Sequence, residues 1–595
     1  MESSGTLPRR RSYYPLLAAV AAMFALTVLP QIELWLVRGE GWPVPFVYYK
    51  GDQSMYLAYV NALKDGRPRR NDPYTGRDQQ PGTVGGVSGE SYLSIQFIPP
   101  YALSWAARVV RAPAASVFAG LRVFSGIASI LVLYWMIVAI TGDEFVAAAG
   151  ALGILCGGTL VTSFGPAGYV LRGLHYTVAP YASLPFLRLY EPAFIFPFFF
   201  IFCLIIWRIL EHPRGRFAGW LVAAAGALFA LLVFSYFYLW TAAAALLACI
   251  FLLWLVLRPR EWRRTLLLLG AVGLLALAAL LPYFHMVAQR FGSLDSEQIL
   301  RLTHRPQLWQ LPELLGLGLI AVLAYATRRG RLPGRDPAVL LVCALALAPT
   351  VMFNQQVITG RSLQAFHYEL FIANYCVLLA MVLGAALLAR FRQLAAARLL
   401  PARMLLIFAF ACFAWGLGES IRADRVFAPE YRKMNDAAQV AARLAELGHA
   451  GDTLDTRSVV LATDHTVAEF LPTAAPQPVL WAQHIYTSSR CPLPEERERY
   501  FKYLYFTGRE TAPPGPPAFP VLAGTMISRG ASMGKQDLLD YQKSLDRRAA
   551  GDPRLAYVVT SPGEHIDFSS LDKWYQRDRG QQLGKYVLYR VTLRP

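Results

Sequence analysis

The chain alternates long apolar runs with short connectors rich in arginine. A spanning helix needs roughly 20 apolar residues, and a window of that size finds runs near 14–37, 117–140, 144–163, 191–210, 217–235, 238–257, 264–284, 311–328, 338–353, 368–390 and 403–421. The pattern predicts an α-helical polytopic membrane protein with about 11 transmembrane helices. The stretch 217–257 is too long for one helix, and Phe234-Ser235-Tyr236-Phe237-Tyr238 is an aromatic turn suited to an interface, so the run divides there. Segment 93–112 is apolar but carries Pro99-Pro100 and ends in Arg108 and Arg111, which predicts a helix lying in the interface. The first run is too long for a cleaved signal, and no small-residue cleavage site follows it. Beyond 430 the pattern changes. Strand-like runs at 459–463, 478–481, 557–560 and 586–591 alternate with charged helix-like segments at 494–506 and 536–549, as in one small α/β domain.

Composition supports the membrane class. Of 595 residues, 55% are hydrophobic and only 16% charged, which does not suit soluble domains, and 13% aromatics do not suit disorder. Cys156, Cys203, Cys249, Cys343, Cys376 and Cys412 lie in apolar runs and Cys491 stands alone, so the seven cysteines read as small buried hydrophobes, with no disulfide framework. The formal charge of +18 matters through its placement. Arginines gather at 9–11, at 208, 214 and 216, at 258, 260, 263 and 264, at 328, 329, 331 and 335, and at 390, 392, 398 and 403. All fall on the cytoplasmic side if 93–112 does not cross, and the connectors at 211–217 and 258–264 move outside if it does. A polybasic lipid-binding surface is the rarer alternative, and no nucleic-acid partner is implied. One connector, Thr141-Gly142-Asp143-Glu144, is acidic and departs from the trend. The expected organisation is a membrane domain over 1–425, with a first outer loop at 38–116, and an extracytoplasmic α/β domain over 430–595.

Polar chemistry collects in the outer connectors. Asp52 follows the first helix within Tyr48-Tyr49-Lys50-Gly51-Asp52-Gln53-Ser54-Met55-Tyr56-Leu57, where bilayer meets water. A carboxylate there can act as general base towards a hydroxyl if partial burial tunes it. It can equally serve only as the cap of the helix that Met55, Leu57, Tyr59, Val60 and Leu63 predict. Tyr56 is a candidate substrate contact beside it.

The order of features resembles the GT-C superfamily. After the Asp at the outer end of a first helix come an amphipathic helix and the turn Gly66-Arg67-Pro68. A Pro-Pro interfacial helix follows at Pro99-Pro100-Tyr101-Ala102-Leu103-Ser104-Trp105, then a second span entered through Leu121-Arg122-Val123-Phe124-Ser125-Gly126. That superfamily comprises membrane glycosyltransferases using polyprenyl-phosphate sugars, among them protein O-mannosyltransferases and lipid A aminoarabinose transferases. The resemblance covers residues 10–165 best and the remainder in topology. It implies an inverting transfer on the outer face of the cell (inner) membrane. The loop Asp, matched by Asp52, deprotonates an acceptor hydroxyl of a glycan, lipid or protein, and polyprenyl phosphate leaves. Many members carry Asp-Glu where this chain has Asp52-Gln53, so a role for the second carboxylate, and a divalent metal with it, has no support in these residues. Asp72 and Glu90 offer other carboxylates in the same loop, though loop acids are more often solvated.

A departing phosphate needs fixed positive charge, for which the planar fork of arginine is suited. One candidate segment runs from Asn354 to Glu369 and includes Gln356, Arg361, His367, Tyr368 and Glu369. The other holds Arg172 and His175 and is followed by Arg188-Leu189-Tyr190-Glu191-Pro192. Arg361, His367, Arg172 and His175 are the candidate phosphate ligands, with Gln356, Tyr368 and Glu369 as substrate contacts. Alone, Arg361 would read as a headgroup anchor, and His367 and Glu369 as a polar cap. Together, so many hydrogen-bonding groups beside an apolar span are costly unless they face a cavity. A transporter of lipid-linked substrate or a non-catalytic glycan-assembly protein is the alternative. Transporters place charges near the midplane, whereas polar residues here crowd the outer ends of the spans. The sequence contains no G-x-x-x-x-G-K-[ST], G-x-S-x-G or H-E-x-x-H pattern.

Overall fold

A computed structural model of the chain describes residues 13–38, 52–78, 89–163, 165–167, 170, 184, 187–290, 305–360, 364–391, 402–482, 485, 493–509, 535–561, 563–564 and 566–595. Every apolar run is helical. The helices are α1 (Tyr14–Arg38), α2 (Asp52–Lys64), α3 (Ile98–Val109), α4 (Ala114–Thr141), α5 (Glu144–Cys156), α6 (Phe196–Glu211), α7 (Ala218–Val233), α8 (Phe237–Leu257), α9 (Trp262–Ala288), α10 (Leu311–Arg328), α11 (Pro337–Asn354), α12 (Asn374–Phe391) and α13 (Ala402–Asp436). Among the described residues, eight helices are long and apolar enough to cross a membrane, and α5 and α7 are apolar but shorter.

Local chemistry sets the boundaries. α4 stops at Gly142, whose φ of 74° is the left-handed cap that glycine adopts without penalty. Asp143 then caps α5, its carboxylate accepting from the amides of Phe145 and Val146 at 2.9 Å. The acidic connector that departs from the charge trend is thus explained by helix capping. The predicted break at 234–238 falls between α7 and α8. Segment 93–112 forms a one-turn helix, Tyr92–Ile95, and the amphipathic α3. α3 packs on α2 and α4, and its Arg108 donates to the carbonyl of Lys64 at 2.9 Å, placing a cation at the C-terminus of α2.

α13 runs unbroken through the expected boundary near 425 and leads into α14 (Ala438–His449) and a five-stranded sheet. The strands are β1 (Val459–Ala462), β2 (Leu555–Thr560), β3 (Tyr575–Arg577), β4 (Gln581–Leu583) and β5 (Tyr586–Leu593). β1 and β2 are parallel and β5 is antiparallel to β2, β3 and β4. β1 is buried along its whole length, as a parallel strand covered on both faces must be. The expected strand at 478–481 is reduced to a single bridge from Val479 to Val460. Arg499 takes the carbonyls of Val479 and Leu480 instead, at 3.4 and 3.3 Å.

The loop after α2 docks on this domain. The Val479 amide donates to the Tyr74 carbonyl at 3.0 Å, the Tyr74 hydroxyl reaches Glu469 at 3.1 Å, and Arg77 pairs with Glu495 at 2.7 Å. Gly76 has a φ of 74°, and a Cβ there would run into the Thr456 carbonyl. Asp72 and Glu90 are committed to the loop itself: Asp72 accepts from the Tyr74 amide at 3.0 Å, and Glu90 binds Arg69 and Arg70 at 2.8 and 2.7 Å.

Candidate active site

Asp52 is the first residue of α2, at the helix end where a carboxylate complements the unsatisfied amides. Its Oδ2 lies 2.9 Å from Nη2 of Arg188, which comes from the turn ahead of α6. Arg188 is 4% exposed and its guanidinium lies 4.4 Å from the centroid of the Phe371 ring. Nε and Nη1 of Arg188 meet no acceptor in good hydrogen-bond geometry among the described residues, with the Tyr236 hydroxyl as the other polar neighbour of the guanidinium. Asp52 keeps 23% of its side-chain surface, so a ligand can reach the pair from the carboxylate side.

The turn that delivers Arg188 also delivers a second carboxyl. Tyr190 is fully buried at a φ of 76°, a conformation that costs a non-glycine residue about 1–3 kcal/mol and persists only where its surroundings enforce it. Its ring stacks on Tyr56 at 4.4 Å and on Phe118 at 6.3 Å. Glu191 follows, completely buried. Oε2 of Glu191 accepts from the hydroxyls of Tyr56, at 3.4 Å, and Tyr92. With its nitrogen turned to the carboxyl, the Gln96 amide reaches Oε1 at 2.6 Å. Burial pushes the Glu191 carboxyl up to about 8, against the hydrogen bonds of Tyr92 and Tyr56 and the charge of Arg188. Glu191 thus lies close enough to Asp52 to feel its charge, although the two are 139 residues apart along the chain.

The second polar segment approaches through aromatic rings. His367 stacks on Phe371 at 5.3 Å, and its Nδ1 is 2.9 Å from the Tyr238 hydroxyl. Phe371 sits in the π-helical turn Glu369–Ala373 that leads into α12, a widened turn of a kind frequent at functional sites. Tyr236, which caps α8, and Tyr238, in its first turn, pack at 5.5 Å, and Tyr236 lies 6.4 Å from Phe371. Asp52, Tyr56, Arg188, Glu191, Phe371 and His367 thus form one continuous cluster.

The remaining candidates hold the scaffold or lie outside the description. Gln356 donates to the Arg305 carbonyl at 3.1 Å, Tyr368 shares a 2.7 Å hydrogen bond with Thr241, and Glu369 accepts from the Ser163 amide. Arg361, Arg172 and His175 lie outside the described residues. No group of three or more His, Cys, Asp or Glu side chains with metal-site spacing occurs among the described residues. Sequence reading ranked Arg361 and Arg172 above Arg188 and gave Glu191 and Tyr92 no role. The one local signal was the polar run Arg188-Leu189-Tyr190-Glu191 at the mouth of an apolar helix.

An apolar groove of about 410 Å³ opens between α3 and α4 and is lined by Leu103, Val117, Leu121, Phe124 and, from the site turn, Phe194. The cluster therefore offers a carboxylate partly open to a ligand and a buried guanidinium, and the groove is joined to it through Phe194, three residues beyond Glu191 on the same turn.

No protein-family description and no curated protein matches the chain. Among solved structures, ArnT from Cupriavidus metallidurans bound to undecaprenyl phosphate aligns over 98% of both chains, at 13% identity and a TM-score of 0.51. Archaeal oligosaccharyltransferase AglB from Archaeoglobus fulgidus, in complex with an inhibitory peptide and a dolichol-phosphate, aligns over 92% of this chain and 69% of its own, at 12% identity and a TM-score of 0.44. At such identities the likeness is one of architecture: the chain shares the fold of the ArnT structure along almost its whole length.

Proposed function

We propose that the chain is an inverting glycosyltransferase that moves a sugar from a polyprenyl-phosphate donor to an acceptor hydroxyl, with Asp52 as base and Arg188 as the cation for the departing phosphate. The observation that carries this reading is the Asp52–Arg188 pair at 2.9 Å, its cation buried and its anion partly open. A carboxylate paired with arginine is a weak base. A donor phosphate that takes over the guanidinium fork frees Asp52 to receive the proton of the acceptor hydroxyl. The acceptor oxygen then bonds to the anomeric carbon, the bond from that carbon to the phosphate oxygen breaks, and polyprenyl phosphate leaves with its new charge beside Arg188. The groove flanked by Phe194 suits the polyprenyl chain.

In this reading the helices formed by all eleven apolar runs cross the cell (inner) membrane, that of the fourth run from Phe196, the N-terminus is cytoplasmic, and Asp52 and the α/β domain face outward. The domain that grips Tyr74 and Arg77 contacts the acceptor or covers the site. The test is purified protein offered a panel of polyprenyl-phosphate sugars, with release of polyprenyl phosphate measured. Release with one donor supports the reading, and none across the panel removes it.

A further inference from the structure

The four helices around the site run to a second polar place that the transfer reaction does not use. α6 and α8 begin beside Arg188 and Tyr236, whereas α7 and α9 finish near the site. There the Phe234 carbonyl accepts from Ile98 at 3.2 Å and that of Gln289 from Glu90 at 2.8 Å. The α6–α7 connector at 212–217 and the α8–α9 connector at 258–261 therefore meet at the opposite end. Between them lies a hollow of about 840 Å³ lined by Arg208, Arg214, Arg216 and Arg260, by Glu211 and Glu261, and on one flank by Phe217 and Leu221.

The charges do not cancel. Glu211 holds Arg208 at 2.8 Å and Glu261 holds Arg214. Among the described residues neither Arg216 nor Arg260 has a carboxylate partner, and both are exposed; Arg216 lies over the Phe217 ring at 4.5 Å. Two guanidiniums thus remain for an anion. Orientation of the chain in a bilayer requires basic connectors but not their convergence on one hollow. The apolar flank continues outward: Phe217 is 54% exposed and the neighbouring Trp220 is 73% exposed, aromatic rings of the kind that sit at headgroup level.

We propose that this hollow binds the headgroup of an anionic membrane phospholipid, with its phosphodiester on Arg216 and Arg260 and an acyl chain against Phe217 and Leu221. The apolar flank selects a lipid over a soluble phosphate, and the surplus of cations selects an anionic lipid over a zwitterionic one. The site is independent of the transfer reaction, so its test needs no sugar donor.

The full chain in detergent is titrated with short-chain phosphatidylglycerol, with phosphatidylcholine of the same chains, and with glycerophosphoglycerol, which lacks the chains, and binding is read by native mass spectrometry and thermal shift. Saturable binding of phosphatidylglycerol alone is expected. Arg216→Gln with Arg260→Gln should weaken it by about tenfold or more, as loss of charged hydrogen bonds predicts. Arg328→Gln with Arg329→Gln, in another basic connector, should leave it unchanged. Arg216→Lys with Arg260→Lys, which keeps the charge, should retain part of the affinity and guards against loss of folding in the glutamine variant. Equal binding of phosphatidylcholine, equal binding of the chainless headgroup, or equal losses in the two glutamine pairs would overturn the proposal.

Discussion

Asp52 and Arg188 are each explained by the other. A guanidinium that is 4% exposed needs an anion, and Asp52 supplies it at 2.9 Å while staying open enough to receive a substrate proton. Replacing Arg188 by lysine keeps the charge but loses the fork that receives the departing phosphate, so kcat/KM for the donor should fall by about tenfold; unchanged kinetics would place the phosphate elsewhere. Glu191 makes a prediction in pH. It lies in the turn ahead of α6, outside the spanning helix, and burial pushes its carboxyl from 4.5 up to about 8. Between those values the folded chain holds a proton that the unfolded chain releases, so stability falls as pH rises through that window. Glu191→Gln removes this proton from the balance, and its Tm should decline less than that of the parent between about pH 5 and 8. Equal slopes would mean that Glu191 is already ionised.

Elements formed of contiguous apolar residues were legible in the sequence, and elements or contacts formed at long range were not. Each of the eleven runs is helical, and the turn at Phe234-Ser235-Tyr236 divides α7 from α8, because burial of a continuous apolar stretch decides both. Pro478–Trp481 has strand composition, yet it meets the sheet at a single bridge, where the Pro478 carbonyl and the Leu480 amide bond Val460, while the Val479 amide goes to Tyr74 and Arg499 holds the carbonyls of Val479 and Leu480. The place of Asp52 at the start of a helix was readable from the apolar positions that follow it. Its pairing with Arg188 was not, because it depends on a left-handed Tyr190 and on a partner 136 residues away. Gly76 belongs to this scale as well. With a φ of 74° and no room for a Cβ beside Thr456, Gly76→Ala should destabilise the docking of the loop on the α/β domain by about 1 kcal/mol or more. The readouts are a lower Tm and faster proteolysis between 65 and 78, and a variant as resistant as the parent would contradict the close fit.

At the scale of the whole molecule, the α/β domain and the membrane helices meet through the loop that follows α2, the helix that begins at Asp52. Tyr74 and Arg77 connect that loop to Glu469, Val479 and Glu495, so the domain has a direct mechanical link to α2. A chain ending after residue 436 should keep its membrane helices but lose transfer by about 10²-fold, the scale of effect expected when a catalytic group is misplaced by an ångström. Undiminished turnover would leave the domain without a part in the reaction. The most direct measurement takes a donor found active in the panel and compares Asp52→Asn with the parent chain, following polyprenyl phosphate release and donor binding in the same preparation. The account predicts release slower by about 10²–10⁴-fold with donor binding retained; release at the parental rate would contradict it.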